Sequence, residues 1–561
     1  MDNSGKRCNF AKIMRKILLI ACLALVALQM NAQTPKREVR AVWLTTLSNL
    51  DWPLTKATNP STRERQKQQL CDILDKLAAA NVNTVLLQTR IRATTLYPSD
   101  YEPWDACLTG KAGQNPGYDP LQFAIEQCHR RGMELHAWVV AIPVGKWKAA
   151  GCSQLNKRYP ALVRKIGDEG FMNPEKAGTG DYIAKICREI VSRYDVDGIH
   201  LDYIRYPENW KQTVSKSEGR NYITQIVRRI HSAVKQEKPW VKVSCSPLGK
   251  FDNLSRYDSR GWNAYNTVCQ DAQGWLREGI MDELFPMLYF RGDNFYPFAI
   301  NWQENSHGRI IAPGLAIWLL SRNENNWPLT DITREIEVSR QLGMGHCYFR
   351  SRFFTDNTKG LYTHMKNYID RYPALVPAMT WERNTAPEAP RDLKVTLSGE
   401  ELHLQWPRGV DHSDGPYLTY NVYASRTCPV DVDDARNLIA SRLQSTELHL
   451  RGDDGQHYFA VTAMDRYGNE SAAMQSHSIS KGMTLLKNDG KKVKLPEGDL
   501  EVRNGDYLVV ESMAGNILMT RIKTNDYLDI RRLKDGVYTL RVMNKHNKKH
   551  ARRLGTFIIR R

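Results

Sequence analysis

No Cys-x-x-Cys pair occurs in the chain, and its 11 cysteines are irregularly spaced. Zinc ribbons and thioredoxin-like redox motifs are therefore not indicated. Cys245, Cys269 and Cys347 lie in apolar segments and read as small core residues. A disulfide elsewhere would fit an oxidising compartment, with pairing undetermined. Beyond the first 28 residues, no apolar run approaches the roughly 20 residues that span a bilayer. No Gly-x-Gly-x-x-Gly follows the first strand pattern, so dinucleotide binding lacks support. With 42% hydrophobic and 25% charged residues, the composition excludes collagen, a coiled coil and a mostly disordered chain. What the chain does hold is rings, 14 Trp and 25 Tyr, the residue types that stack on flat ligands.

The net charge of +18 is unevenly placed. Residues 1–16 carry +4, residues 481–561 carry +10, and the 464 residues between them hold the remaining +4. A nucleic-acid enzyme would put its basic stripe on the catalytic region, so no nucleic-acid partner is expected. The basic tail suits contact with an anionic envelope surface. At the N-terminus, Lys12, Arg15 and Lys16 precede the apolar run Ile17 to Leu28, and Gln29-Met30-Asn31-Ala32 follows. This order predicts a signal peptide over residues 1–32 and a mature protein starting near Gln33. The expected address is the periplasm or the outer cell surface. Leu19-Ile20-Ala21-Cys22 resembles a lipoprotein box but would leave a short apolar stretch before Cys22, so lipidation is the secondary reading.

From residue 37 to about 380, strand and helix patterns alternate. Strands are expected at Glu38–Leu44, Thr84–Thr89, Glu134–Val140, Gly198–Tyr203, Val241–Ser246, Glu283–Tyr289, Ile310–Ile317 and Gly345–Arg350. Helix-period segments include Thr62–Ala80, Asp181–Arg193 and Tyr222–Gln236. Eight strands alternating with helices predict an α/β fold, a (β/α)8 TIM-like barrel, followed by two small all-β sandwich domains. An open doubly wound sheet is the runner-up. The Pro-rich segment Thr385–Pro390 ends the barrel. Residues 387–480 carry short alternating strands; Leu402-His403-Leu404-Gln405-Trp406, Tyr420-Asn421-Val422-Tyr423, Tyr458–Ala463 and Asp465–Ser471 resemble a fibronectin type III module. Residues 485–561 form a basic β-sandwich whose Leu533–Val542 stretch and Lys545–Arg553 hairpin resemble tails of secreted bacterial proteins that serve as sorting signals. The plainer reading of that block is an accessory sandwich.

Barrel enzymes place reactive groups at the C-terminal ends of their strands. The fourth strand runs Val196-Asp197-Gly198-Ile199-His200-Leu201-Asp202-Tyr203-Ile204-Arg205-Tyr206-Pro207. His200 and Asp202 share parity and point inward, with Asp202 nearer the mouth. A carboxylate there attacks, stabilises a developing cation or moves a proton; pairing with an arginine is the bland alternative. The second strand leads into Arg90 and Arg92, then a loop with Glu102 and Trp104. Arg90, Arg92 and Arg205 are candidates to hold Asp202 ionised. Asp271, before a helix, reads equally as an N-cap or a site residue. Asp202 is therefore expected to be the ionised catalytic carboxylate, with Asp271 or Glu102 as acid/base partner against Trp104 or Trp275. Of the rings near strand ends, Trp43, Trp52, Trp104, Trp138, Tyr203, Tyr206, Trp262, Tyr289 and Trp318, about half are expected to line a sugar cleft. Trp104, Trp138, His200, Tyr203, Tyr206, Tyr289 and Trp318 join Arg90, Arg92 and Arg205 as expected substrate-binding residues.

Six segments, in order from about residue 37 to 375, are similar to the glycosyl hydrolase-like family 10 proteins. They are "REVRAVWLTT…DWP", "LLQTRIRATTLYPSDYEPW", "LHAWV", "VDGIHLDYIRYP", "QDAQGWLREGIMDELFPMLYF" and "PGLAIW". The resemblance implies a (β/α)8 barrel, hydrolysis of glycosidic bonds without a cofactor, and a polysaccharide or peptidoglycan glycan as substrate, including strands stripped of their peptides. The sequence departs from the family at Ile91 and Ala93-Thr94-Thr95, and at the end of the third strand, "HAWVVAIPVG". Two alternatives stand beside a two-carboxylate glycosidase. One is a non-catalytic glycan-binding barrel. The other is a metal-dependent hydrolase using His136, His200, His346 and Asp202, although the first strand lacks a His-x-His and no metal is called for by the favoured reading.

Overall fold

The computed structural model describes residues 34–257, 261–398, 401–451, 457–476, 480–481, 486–495, 502–512, 516–543 and 551–560. The expected signal peptide and Cys22 lie outside the described residues. So does most of the 545–553 hairpin. Among the described residues, no helix is long and apolar enough to cross a membrane.

Nine parallel strands form one curled sheet: β1 (Arg40–Leu44), β2 (Thr84–Arg90), β3 (Glu134–Val140), β4 (Gly198–Asp202), β5 (Lys242–Cys245), β6 (Glu283–Leu284), β7 (Ile310–Ile311), β8 (Gly314–Leu315) and β9 (His346–Tyr348). Their order is β7-β6-β5-β4-β3-β2-β1-β9-β8. Only Ala312 and Pro313 separate β7 from β8. The first bonds to β6 and the second to β9, so the two ends of the ladder are halves of one run. The expected strands therefore lie close to those found. The long seventh strand is interrupted at Pro313, whose ring removes the N–H a ladder needs.

Helices separate most of these strands. Asn59 opens Pro60–Ala79 with a capping box, and Leu70, Leu74 and Leu77 bury its inner face. Ser215 and Glu218 do the same for Lys216–Glu237. Inside the curl, Trp43, Leu86, Trp138, Val140, Phe285, Ala312 and Cys347 form one apolar cluster. Gly198 is dictated by this packing: a Cβ there would lie 2.6 Å from His136 Nδ1 on the adjacent strand. All nine described cysteines are unpaired, and Cys245, Cys269 and Cys347 are fully buried.

An insertion after β3 had no place in the expected strand list. Pro143–Lys146, Val163–Ile166 and Glu169–Met172 make a three-stranded antiparallel sheet. Gly167, at φ 61, turns the hairpin between its last two strands.

The chain divides into two compact units. Among the described residues, the first comprises 34–392, 407–446 and 459–475; the second comprises 393–406, 447–458 and 476–560. The first unit adds a four-stranded sheet to the curled one, built from β12 (Thr419–Ser425), β13 (Leu438–Leu443), β15 (Tyr458–Met464) and β16 (Met474–Gln475) in the order β13-β12-β15-β16. In the second, β10 (Lys394–Ser398), β11 (Glu401–Gln405), β14 (Glu447–Arg451) and β17 (Ser480–Lys481) run β14-β11-β10-β17. Its C-terminal part holds a further four-stranded sheet and a two-stranded ribbon around Val493, Val510, Leu540 and Phe557.

Candidate active site

At the C-terminal ends of the strands lies a cleft of about 500 Å³. Asp202, the last residue of β4, reaches into it, as do Trp138, Tyr203, Arg205, Arg92 and Tyr289. The chain turns sharply after Asp202 because Tyr203 takes a left-handed conformation, φ 56, costly for an aromatic residue and concentrated at functional sites. That turn brings the Tyr203 ring beneath the Arg205 guanidinium, 3.8 Å from its centroid.

Both oxygens of Asp202 are held. The Trp138 indole donates to Oδ2 at 3.2 Å, and Ser246 Oγ lies 3.1 Å from Oδ1. Burial nonetheless raises the Asp202 carboxyl above its ordinary range, outweighing Arg205 and these donors. Of the three arginines expected to favour the ionised form, Arg205 acts in that direction. Arg90 is turned away: its guanidinium is paired with Glu102 and donates to the carbonyls of Val140 and Ala141. Arg205, facing the cleft, is shared with a second carboxylate.

That carboxylate is Glu208. Its Oε1 lies 2.8 Å from Arg205 Nη2, and its Oε2 accepts from the Tyr203 hydroxyl. Partial burial pushes its carboxyl up, but Arg205 and Tyr203 prevail and hold it below the usual glutamate range. The cleft lining thus contains two carboxyls driven in opposite directions. A third, Glu169, arrives from the inserted sheet and faces Arg92 Nη1 at 3.5 Å. Gln88 Oε1 accepts from the backbone N–H groups of Thr46 and Leu47, which fixes its amide and leaves Nε2 as its donor end. Thr45 Oγ1, on the same wall, is buried with no partner among the described residues.

Several expected site residues lie elsewhere. Glu102 is spent on Arg90, at 2.6 Å, and on the Tyr182 hydroxyl, at 3.0 Å, beneath the cleft wall. Asp271 caps the helix Ala272–Glu278, accepting from Gly274 N at 3.0 Å. Neither lines the cleft, whereas Glu208 does. Trp104 bridges to Thr95 in its own loop, and Tyr206 is buried against Trp210. Trp318 stands behind Tyr289, ring centroids 4.7 Å apart, outside the lining. Of the nine rings named from sequence, three line the cleft rather than half; Trp43 and Trp52 are core, and Trp262 is 48% exposed. Phe349 and Phe171 supply the apolar wall that the missing rings do not.

His200 sits one layer below Asp202. The Trp43 indole, a donor only, points at Nε2 from 3.1 Å, so Nδ1 carries the proton towards Ser244 Oγ at 3.0 Å. Burial and His136 push its pKa far down, keeping it neutral. The histidines of the metal alternative do not converge. His200 has both nitrogens engaged; His136 faces Glu134 at 3.1 Å; and His346, first in β9, faces Asp370 at 3.3 Å. That donor set does not fit a shared ion with Asp202.

A parallel α/β curl with carboxyls, an indole and a guanidinium lining a cleft at its strand ends has the layout of glycosidase-type proteins. The comparisons agree. Residues 38–310 match the glycosyl hydrolase-like 10 family. Over 492 residues the chain is 30% identical to the glycosyl hydrolase YngK of Bacillus subtilis, covering 79% of this chain and 93% of that protein. Over 295 residues it is 35% identical to the glycosyl hydrolase DigH of Escherichia coli, covering 46% of this chain and 67% of that one. A solved α-L-fucosidase from Paenibacillus thiaminolyticus aligns with a TM-score of 0.40 at 14% identity, over 59% of this chain and 49% of the other. The chain belongs to the glycosyl hydrolase-like 10 family.

Proposed function

We propose that this protein is an exported glycoside hydrolase acting on a cell-envelope or extracellular glycan, with peptide-free peptidoglycan strands the first candidate. The single observation that carries the catalytic reading is the pair Asp202 and Glu208, whose surroundings push their carboxyls apart in pKa across one cleft. Cleaving an acetal needs a proton for the leaving oxygen and negative charge beside the oxocarbenium-like carbon. Asp202, raised by burial, is the proton donor. Glu208, held ionised by Arg205 and Tyr203, is the opposing carboxylate. Trp138 and Ser246 hold the Asp202 carboxyl in place, and Tyr289, Tyr203 and Phe349 offer ring faces to the sugar.

In this reading the curled sheet is a (β/α)8 barrel, the region 387–480 is a fibronectin type III spacer, and the basic C-terminal block meets the envelope surface. The leader pattern of residues 12–32 supports export. Incubating the mature protein with amidase-stripped peptidoglycan glycans and a polysaccharide panel, with mass spectrometry of the products, tests the proposal. Shortened, peptide-free saccharides are expected. Binding without any cleavage would favour the glycan-binding alternative.

A further inference from the structure

In the β14-β11-β10-β17 sheet, His403 lies directly opposite His449. Glu447 precedes His449 by two residues, so all three side chains share one face of the sheet. That face is turned outward: Leu402 and Leu404 alternate inward and are fully buried, while the His403 and Glu447 side chains are 37% and 50% exposed. The two imidazoles stack with centroids 4.2 Å apart and planes within 11°. His403 Nε2 stands 3.1 Å from Glu447 Oε2. One donor atom from each of the three residues lies within 4.8 Å of the other two.

The donor atoms are close enough to converge on one ion once a ring turns out of the parallel stack. An ion about 2.0–2.1 Å from each of two tetrahedral ligands sets those ligands about 3.3 Å apart. The His403–Glu447 pair already has that spacing. His449 needs a further approach of up to about 1.5 Å and a turn of its ring, both supplied by rotation about its side-chain torsions. Two imidazoles and one carboxylate form a nitrogen-rich set that suits zinc and its late transition-metal neighbours, and not calcium or magnesium, which require oxygen ligands.

We propose that His403, Glu447 and His449 bind a zinc ion, with water completing the tetrahedron, and that the ion clips β11 to β14. The two strands are distant in sequence, so the clip closes a long loop and stabilises the second unit by mass action.

Zinc chloride is titrated by calorimetry into the untagged, chelator-stripped full-length chain, alongside thermal melts. The expected result is one saturable site and a zinc-dependent rise in melting temperature, with no response to Mg²⁺ or Ca²⁺. His403→Ala and His449→Ala should each weaken binding at least tenfold, Glu447→Gln less, and Cys428→Ser, which removes an exposed thiol, not at all. His449→Gln keeps a polar side chain of similar size and separates loss of a ligand from loss of fold. Zinc affinity unchanged in both histidine variants, or no zinc binding by the wild type, would overturn the proposal.

Discussion

Replacing Arg442 with methionine tests how the first unit is held together. Arg442 lies on β13 with φ 55, at a register shift in the β12–β13 pairing. Its Nη1 is 3.1 Å from Glu134 Oε1 and its Nη2 2.6 Å from Asp197 Oδ1. Glu134 starts β3, and Asp197 immediately precedes β4, so this arginine reaches the ends of the strands opposite the cleft. The Arg442, Glu134 and Asp197 side chains are 12%, 4% and 5% exposed. Removing one partner of a buried ion pair costs about 3–5 kcal/mol, because the other charge stays behind. Lys242 still serves Glu134 at 2.9 Å, and His129 and Arg466 still serve Asp197 at 2.8 and 3.3 Å. The loss should therefore be near the low end, about 3 kcal/mol. In a unit of this size that is a Tm change of only a few degrees, so denaturant unfolding is the better assay. The effect should also depend on pH. Burial works to raise Glu134, but Lys242 and Arg442 hold its carboxyl down at about 2, and Asp197 is likewise held far below its ordinary range. A lowered folded-state pKa gives stability that is present above the unfolded value, roughly 4, and lost as pH falls through the folded one. The gap between wild type and Arg442→Met should be widest near neutrality and narrow as pH falls from about 4 towards 2. A difference below about 0.5 kcal/mol at pH 7, or one that does not narrow in acid, would refute the reasoning.

The other predictions concern the cleft and its wall. The pH–rate profile should be bell-shaped, its acid limb set by Glu208 below the ordinary glutamate range and its alkaline limb by Asp202 above the ordinary aspartate range. Trp138→Phe removes a donor that favours the ionised form of Asp202, so the alkaline limb should move to higher pH; a shift to lower pH would contradict the assigned hydrogen bond. Glu102→Gln should destabilise the fold by about 3 kcal/mol, since it strips the charge partner of buried Arg90, while turnover per folded molecule stays close to wild type. Complete loss of turnover in a folded Glu102→Gln protein would return Glu102 to the catalytic role.

The strand frame was legible because its alternation is periodic and each strand is bounded by turn residues. Gly198, His200 and Asp202 could be placed by parity alone, and Asp202 does reach the cleft. The second carboxylate of the cleft was not legible, because Glu208 lies on a loop beyond the strand, where no periodicity constrains direction. Pro207 and the short Tyr203–Glu208 spacing were the available signal. Glu102 and Asp271 fall outside the cleft lining for different reasons. Glu102 sits next to a ring and an arginine in sequence, but Arg90 captures it, since a buried guanidinium demands a charge. Asp271 obeys its local N-cap pattern and nothing more. The inserted sheet was missed because its strands are short and charged, although Gly167-Asp168 between them is a hairpin signal. The role of Arg442 had no sequence signature, since its partners lie more than two hundred residues away.

Asp202 and Glu208 are proposed to cleave a glycosidic bond together. Initial rates of saccharide release from stripped peptidoglycan glycans, measured for wild type, Asp202→Asn and Glu208→Gln with glycan binding followed in parallel, test it most directly. Each variant should lose roughly 10²–10⁴ in turnover while binding stays largely intact. Near-normal hydrolysis by Asp202→Asn would contradict the account.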